Sequence, residues 1–167
     1  MQPEKRMKRL LHQLYETDQA RWKYFCNALL ISLIPTVILA VIVLLVMPGK
    51  SQPIKMPVIF LYFCLILIGP WIETVMMWPI LSLLNRIMSK TITVAFASAV
   101  VWALIHSLSS PARGLVLWWP FLVFSICFIE WEKKSLNKAI VITAYIHMYH
   151  NLIAFVFIML TQYLVSP

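Results

Sequence analysis

The chain has 167 residues, of which 62% are hydrophobic and 12% charged, with a net charge of +8 and a mean hydropathy of +0.85. Soluble domains average about 45–50% apolar and about 25% charged residues. The composition therefore excludes an ordinary water-soluble fold and predicts a single membrane domain, residues 1–167, whose surroundings are the lipid bilayer.

The N-terminal segment, 1–23, interleaves apolar and basic side chains at helical spacing. This pattern predicts an amphipathic helix that lies flat on the anionic inner surface of the membrane. An anchoring role is expected, and a partner-binding helix is the alternative. The apolar positions are Met7, Leu10, Leu11, Leu14 and Tyr15.

Charged residues then divide the chain into five apolar runs. A membrane-spanning helix needs ~20 predominantly apolar residues, and the runs are continuously apolar rather than alternating as in a barrel strand. We therefore predict an all-α integral membrane protein, a bundle of about five transmembrane helices, in which the fourth run is short for a span. The runs occupy positions 24–49, 56–85, 91–112, 114–129 and 139–167.

The basic residues predict the topology. Eleven Lys and Arg side chains fall in the N-terminal segment and in the second–third and fourth–fifth connections, and only Lys50, Lys55 and Arg113 fall on the other side. Cytoplasmic loops carry the excess of Lys and Arg. We predict a cytoplasmic N-terminus in the inner membrane of a bacterial or archaeal cell, and this asymmetry accounts for the net charge without a nucleic-acid partner.

Four polar residues interrupt the predicted spans: Glu73, His106, His147 and Asn151. Burying an ionised side chain at the centre of a membrane helix costs roughly 2.5–3.5 kcal/mol, so such residues usually face the bundle interior and pair with one another. His147 and Asn151 are one turn apart on one helix face. We predict that three helices bring the four side chains into one pocket, and that nearby His150 is structural.

This set of side chains allows several kinds of chemistry. A carboxylate beside an imidazole can take a proton from water and return it to a leaving amine, while imidazole and amide N–H groups stabilise an oxyanion. That combination would hydrolyse a peptide bond without a cofactor. One carboxylate with two imidazoles could instead hold zinc with an open position. Interhelical hydrogen bonding is a further alternative, and a proton relay in a carrier is another, although five helices with no visible internal repeat argue against a carrier.

The order of the motifs resembles the CPBP family of intramembrane endopeptidases, the CAAX-processing and bacteriocin-processing proteases also called the Abi family. That family carries a proline followed by Glu-Glu-x-x-x-Arg, then Phe-x-x-x-His, then His-x-x-x-Asn, each on its own helix. The corresponding stretches here are GPWIETVMMWP at 69–79, SAVVWALIHSL at 98–108 and HMYHN at 147–151. The resemblance covers residues 57–160, the expected catalytic core.

The resemblance implies a glutamate-dependent endopeptidase acting on a membrane-associated peptide or protein. Glu73 with His106 would activate water, and the third motif would supply the oxyanion hole. Three positions depart from the family pattern: Thr74 replaces the second glutamate, Trp78 the arginine and Trp102 the phenylalanine. The first two departures favour the alternative, a catalytically degenerate scaffold or immunity-type protein of the same fold.

One geometric difficulty concerns the depth of the two imidazoles in the membrane. His106 lies further along the chain from Lys90, the basic residue at the inner end of its run, than His147 lies from Lys138. At a rise of about 1.5 Å per residue, the difference in depth is roughly 10 Å. Straight parallel helices would hold the two imidazoles apart, so we expect helix tilt, a kink at Gly69-Pro70 or a late start of the third helix.

Overall fold

The computed structural model describes residues 11–47, 60 and 62–165, excluding the side chains from 158 onwards. The described residues form five helices and no strand, which confirms the all-α prediction. Their bounds are α1 Arg21–Val46, α2 Phe63–Asn85, α3 Thr91–Ser107, α4 Pro111–Glu132 and α5 Leu136–Val165.

Four of the five helices are long and apolar enough to cross a membrane: α1, α2, α4 and the stretch Leu136–Phe157 of α5. These four helices indicate an integral membrane protein. The short helix is α3, with 17 residues, and not the fourth as the charge pattern suggested. Helix α4 reaches 22 residues because Arg113 and Glu130, taken as its limits, both lie within it.

Helix α4 occupies the centre of the bundle. In its apolar stretch 67% of the residues are buried, against 28% or fewer in the other three candidate spans. Its sequence is apolar on every face, which is typical of a helix surrounded by other helices. Helix α3 docks closely on it, since a Cβ at Gly114 would overlap the Ser107 hydroxyl and the Ala103 carbonyl. The hydroxyl of Ser125 also donates to Ser98 over 3.0 Å.

Helix α1 turns a narrow stripe of small and polar residues towards α4 and α5. Tyr24, Ala28, Ser32 and Thr36 recur every fourth position and are buried. Most other faces of α1 carry exposed aliphatic side chains. The indole Nε1 of Trp119 on α4 donates to the Ile31 carbonyl of α1 over 2.8 Å, which fixes this packing.

The basic connections meet at one end of the bundle. Lys134, between α4 and α5, pairs with Asp18 at 2.6 Å and donates to the Thr17 carbonyl. Thr91, at the start of α3, donates to Glu130 over 3.4 Å. The grouping predicted from the basic residues is therefore present in the structure, and the cytoplasmic position of this end stays a prediction.

The first ten positions of the predicted surface helix, 1–10, lie outside the described residues. Its described part forms a helical turn and a loop, and Leu14 is buried in the core. The Tyr24 hydroxyl donates to the Leu14 carbonyl over 3.0 Å, which ties this loop to α1. Helix α1 begins at Arg21, so the last three positions of the predicted surface segment belong to a spanning helix.

Candidate active site

The Glu73 carboxylate lies between two imidazoles contributed by two other helices. Its Oε1 is 4.0 Å from Nε2 of His106 on α3, and its Oε2 is 3.5 Å from Nε2 of His147 on α5. The Glu73 and His106 side chains are 26% and 21% exposed, whereas that of His147 is 4% exposed. Three of the four residues predicted to converge are thus in one cluster.

These distances are too long for direct hydrogen bonds and allow a water molecule to bridge the groups from the side. The separations of 3.5 and 4.0 Å exceed the usual N–H···O distance of about 2.9 Å. An oxygen atom about 2.9 Å from both the carboxylate and an imidazole nitrogen would lie beside the line that joins them, because no atom fits directly between groups this close. His106 Nε2 and His147 Nδ1 are buried without a hydrogen-bond partner among the described residues. Buried polar atoms of this kind are uncommon, and a catalytic role is one explanation for them.

The expected obstacle of unequal depth is smaller than the sequence suggested. Helix α3 begins at Thr91 and α5 begins at Leu136, two positions before Lys138. Counted from these helix starts, the two imidazoles differ in depth by about 6 Å rather than about 10 Å. The cause is the early start of α5, since α3 begins immediately after Lys90 and so does not start late.

An irregular turn precedes Glu73 on α2. The stretch Phe63–Ile68 is π-helical, and the Gly69 N–H donates to the carbonyl of Cys64, five positions earlier. A Cβ at position 69 would lie 2.6 Å from that carbonyl oxygen, so the turn requires glycine. Pro70 follows and has no N–H to continue the pattern. If the π-helical pattern continued, an N–H at position 70 would donate to the Leu65 carbonyl, five positions earlier.

Asn151 supplies the missing hydrogen-bond donor to the Leu65 carbonyl. Its Nδ2 donates to the Leu65 carbonyl over 2.8 Å, and it forms no hydrogen bond with the described side chains of Glu73, His106 or His147. Asn151 thus has no direct hydrogen bond to the other three predicted residues, and its bond to Leu65 holds this face of α5 against α2. A carboxamide NH₂ has two donors, and this bond uses one of them.

Two phenylalanines of α4 form an aromatic wall behind the imidazoles. The Phe124 ring lies 4.5 Å from the ring of His147, measured between centroids. Phe121 lies 5.3 Å from His106 and 5.6 Å from His147, and it stacks on Trp102 at 4.7 Å. Residue-based reasoning missed this wall because most of α4 is apolar, and nothing in the sequence distinguishes the phenylalanines that face the site from their apolar neighbours.

The other histidine of the third motif faces another helix. His150 is buried, and its Nδ1 lies 3.0 Å from the Ser32 hydroxyl of α1. This hydrogen bond joins α5 to α1, as the structural role predicted for His150 requires.

The two departures on α2 have different surroundings. Thr74 is fully buried and its hydroxyl has no partner among the described residues, whereas Trp78 is 44% exposed. Within the described part of the chain, the only side chains at ion-pair distance from Glu73 are the two imidazoles. Neither a second acid nor a cation of α2 supports it.

The described residues contain no preformed zinc site. No group of three or more His, Cys, Asp or Glu side chains in the described ranges is arranged to hold a metal ion.

Comparison with known proteins adds no relative: no protein-family model matches the chain, and neither curated proteins nor solved structures give a significant match. The likeness to CPBP endopeptidases accordingly stands on the three motifs alone.

Proposed function

We propose that this protein is an intramembrane endopeptidase that hydrolyses a peptide bond in a membrane-associated peptide or protein. The observation that supports the proposal most is the position of the Glu73 carboxylate, 4.0 Å from His106 Nε2 and 3.5 Å from His147 Nε2. Three different helices contribute these groups. A structural hydrogen bond would need only one such pair.

In the proposed reaction, Glu73 and His106 remove a proton from water as it attacks the peptide carbonyl carbon. An N–H of His147 donates to the resulting oxyanion, and the stored proton passes to the leaving amine as the C–N bond breaks. No covalent intermediate and no cofactor is required. Asn151 would join the oxyanion hole through the second N–H of its amide, while the first keeps α2 against α5.

The orientation proposed with this function places the basic end of the bundle in the cytoplasm. Positive connections are retained on the cytoplasmic side of membrane proteins. The N-terminal loop and the α4–α5 connection meet at this end through Asp18 and Lys134. The membrane would be the inner membrane of a bacterial or archaeal cell.

The test is cleavage of membrane-protein substrates in proteoliposomes by the purified protein and its Glu73→Gln and His106→Ala variants. Removing a general acid–base group costs ~10²–10⁴-fold in rate, and we expect a loss of at least this size in each variant. Glu16→Gln is a matched control because Glu16 is an exposed carboxylate that pairs with His12 outside the cluster. A Glu73→Gln variant as active as the control would refute the mechanism.

A degenerate scaffold or immunity-type protein of the same fold is the second candidate. It is favoured by Thr74 and Trp78, which leave Glu73 without the acid and the cation of the family pattern. If this candidate is correct, a folded Glu73→Gln protein will retain the full cellular phenotype. An endopeptidase will lose the phenotype with that single exchange.

A further inference from the structure

A groove with basic and aromatic residues runs along the start of α1 and the first half of α5. Two adjoining cavities, of about 260 and 420 Å³, share Arg21 and Ile142. Asn137 and Lys138 lie at one end, and the other end is lined by Phe25, Tyr145 and Tyr149. We propose that this basic groove binds one anionic phospholipid, with the phosphate at Arg21 and Lys138 and an acyl chain along the aromatic residues.

The charges of the groove are complementary to a phosphate. Arg21 and Lys138 form no ion pair with another described residue, whereas neighbouring Lys134 is neutralised by Asp18 at 2.6 Å. Two cations from two helices thus border one cavity without an anion between them. The carboxamide of Asn137 adds a hydrogen-bond donor at the same end.

The aromatic part of the groove suits the upper part of an acyl chain. Phe25 on α1 and Tyr149 on α5 meet edge to face, with ring centroids 5.3 Å apart, and form the bottom of this part. Tyr145 and Tyr149 are half-exposed. Tyr145 and Tyr149 lie seven and eleven positions beyond Lys138, about 10 and 16 Å further along α5, which is the depth of an acyl chain whose phosphate is at Lys138.

The position of the groove favours an anionic lipid over other occupants. Arg21 directly follows the loop that carries Asp18, at the end of the bundle where the basic connections meet. Basic pockets between membrane helices on the cytoplasmic side bind anionic headgroups. Residues 1–10 contain four basic side chains and one acidic, so their charge does not complement the two cations.

The experiment measures lipid preference in the intact protein and does not depend on the proposed peptidase activity. The purified chain is equilibrated in detergent with equal amounts of phosphatidylglycerol and phosphatidylcholine, and the retained lipids are counted by native mass spectrometry. Each Lys or Arg near an anionic surface contributes a factor of about five. We expect a preference for phosphatidylglycerol of about 25-fold, reduced to about 1 in the R21Q/K138Q variant.

The matched control is R86Q/K90Q, which removes the same two charges from the α2–α3 connection at the same end of the bundle. This control should keep the full preference. An equal loss in both double variants, or no loss in R21Q/K138Q, would overturn the proposal. Displacement of the lipid by inorganic phosphate or by an acidic peptide at equal concentration would overturn it as well. If R21Q/K138Q does not fold, K138Q alone should lower the preference about fivefold.

Discussion

The hydrogen bond between Asn151 and the Leu65 carbonyl makes a prediction that involves a third residue, Pro70. Asn151→Ala leaves that carbonyl without a donor, because Pro70 has no N–H to offer. Hydrogen bonds between membrane helices contribute about 0.6 kcal/mol on average and about 1.7 kcal/mol at most. We expect Asn151→Ala to lower the free energy of unfolding by ~1 kcal/mol, about a fivefold change in the folded-to-unfolded ratio.

The diagnostic step is the same substitution in a Pro70→Ala background. The Pro70→Ala exchange restores a backbone N–H within reach of the preceding carbonyls, so Asn151→Ala should cost markedly less there, with a coupling energy of at least ~0.5 kcal/mol. The free energy of unfolding is measured for the original chain, the two single variants and the double variant. Unfolding in mixed micelles is followed by circular dichroism during titration with sodium dodecyl sulfate. Asn27→Ala removes a carboxamide that bonds Gln19 instead and should be additive with Pro70→Ala. Additivity of Asn151→Ala with Pro70→Ala would refute the argument.

Three further predictions concern the irregular turn, the basic end and the reaction. Gly69→Ala places a Cβ 2.6 Å from the Cys64 carbonyl oxygen and should destabilise the protein by about 1–3 kcal/mol in the same titration; unchanged stability would contradict the steric argument. Lys134 holds the pKa of the Asp18 carboxyl below its usual 3.8. The ion pair therefore stabilises the fold above pH 3.8, and this stabilisation is lost as the pH falls through the lowered pKa. Asp18→Asn should reduce the fall in melting temperature at acidic pH, and an unchanged fall would show that the pair contributes nothing. Activity in proteoliposomes should survive strong chelators, whereas a loss reversed by added zinc would favour the metal alternative.

The fold could be predicted from the sequence in outline but not in its helix limits. Long apolar runs separated by charges are sufficient to predict helices, because lipid offers no partner for exposed backbone groups. The predicted limits of α4 were wrong because charged residues were treated as ends. Glu130 is buried within the helix, where Lys133 at 2.6 Å and the Thr91 hydroxyl at 3.4 Å compensate its charge.

The site was predictable where polar residues marked it and unpredictable elsewhere. Glu73, His106 and His147 were identifiable because each is costly in lipid unless it meets a partner. The partner of Asn151 was not identifiable, because it is a backbone carbonyl that a π-helical turn leaves without a donor. Gly69-Pro70 indicated a possible kink there but not this type of turn. Phe124 was hidden for a different reason, since nothing distinguishes it from its apolar neighbours on α4.

The brevity of α3 has a consequence for the supply of water. Seventeen residues rise about 25 Å, some 5 Å less than the hydrocarbon thickness of an average bilayer. The start of α3 is held at the basic end by the contact between Thr91 and Glu130, so the shortfall falls at its other end, directly beyond His106. Thinning of the lipid beside that end is one way in which a bilayer accommodates a short helix. Such thinning would carry the aqueous boundary towards the imidazole, and hydration of the cluster would then need no pore through the bundle.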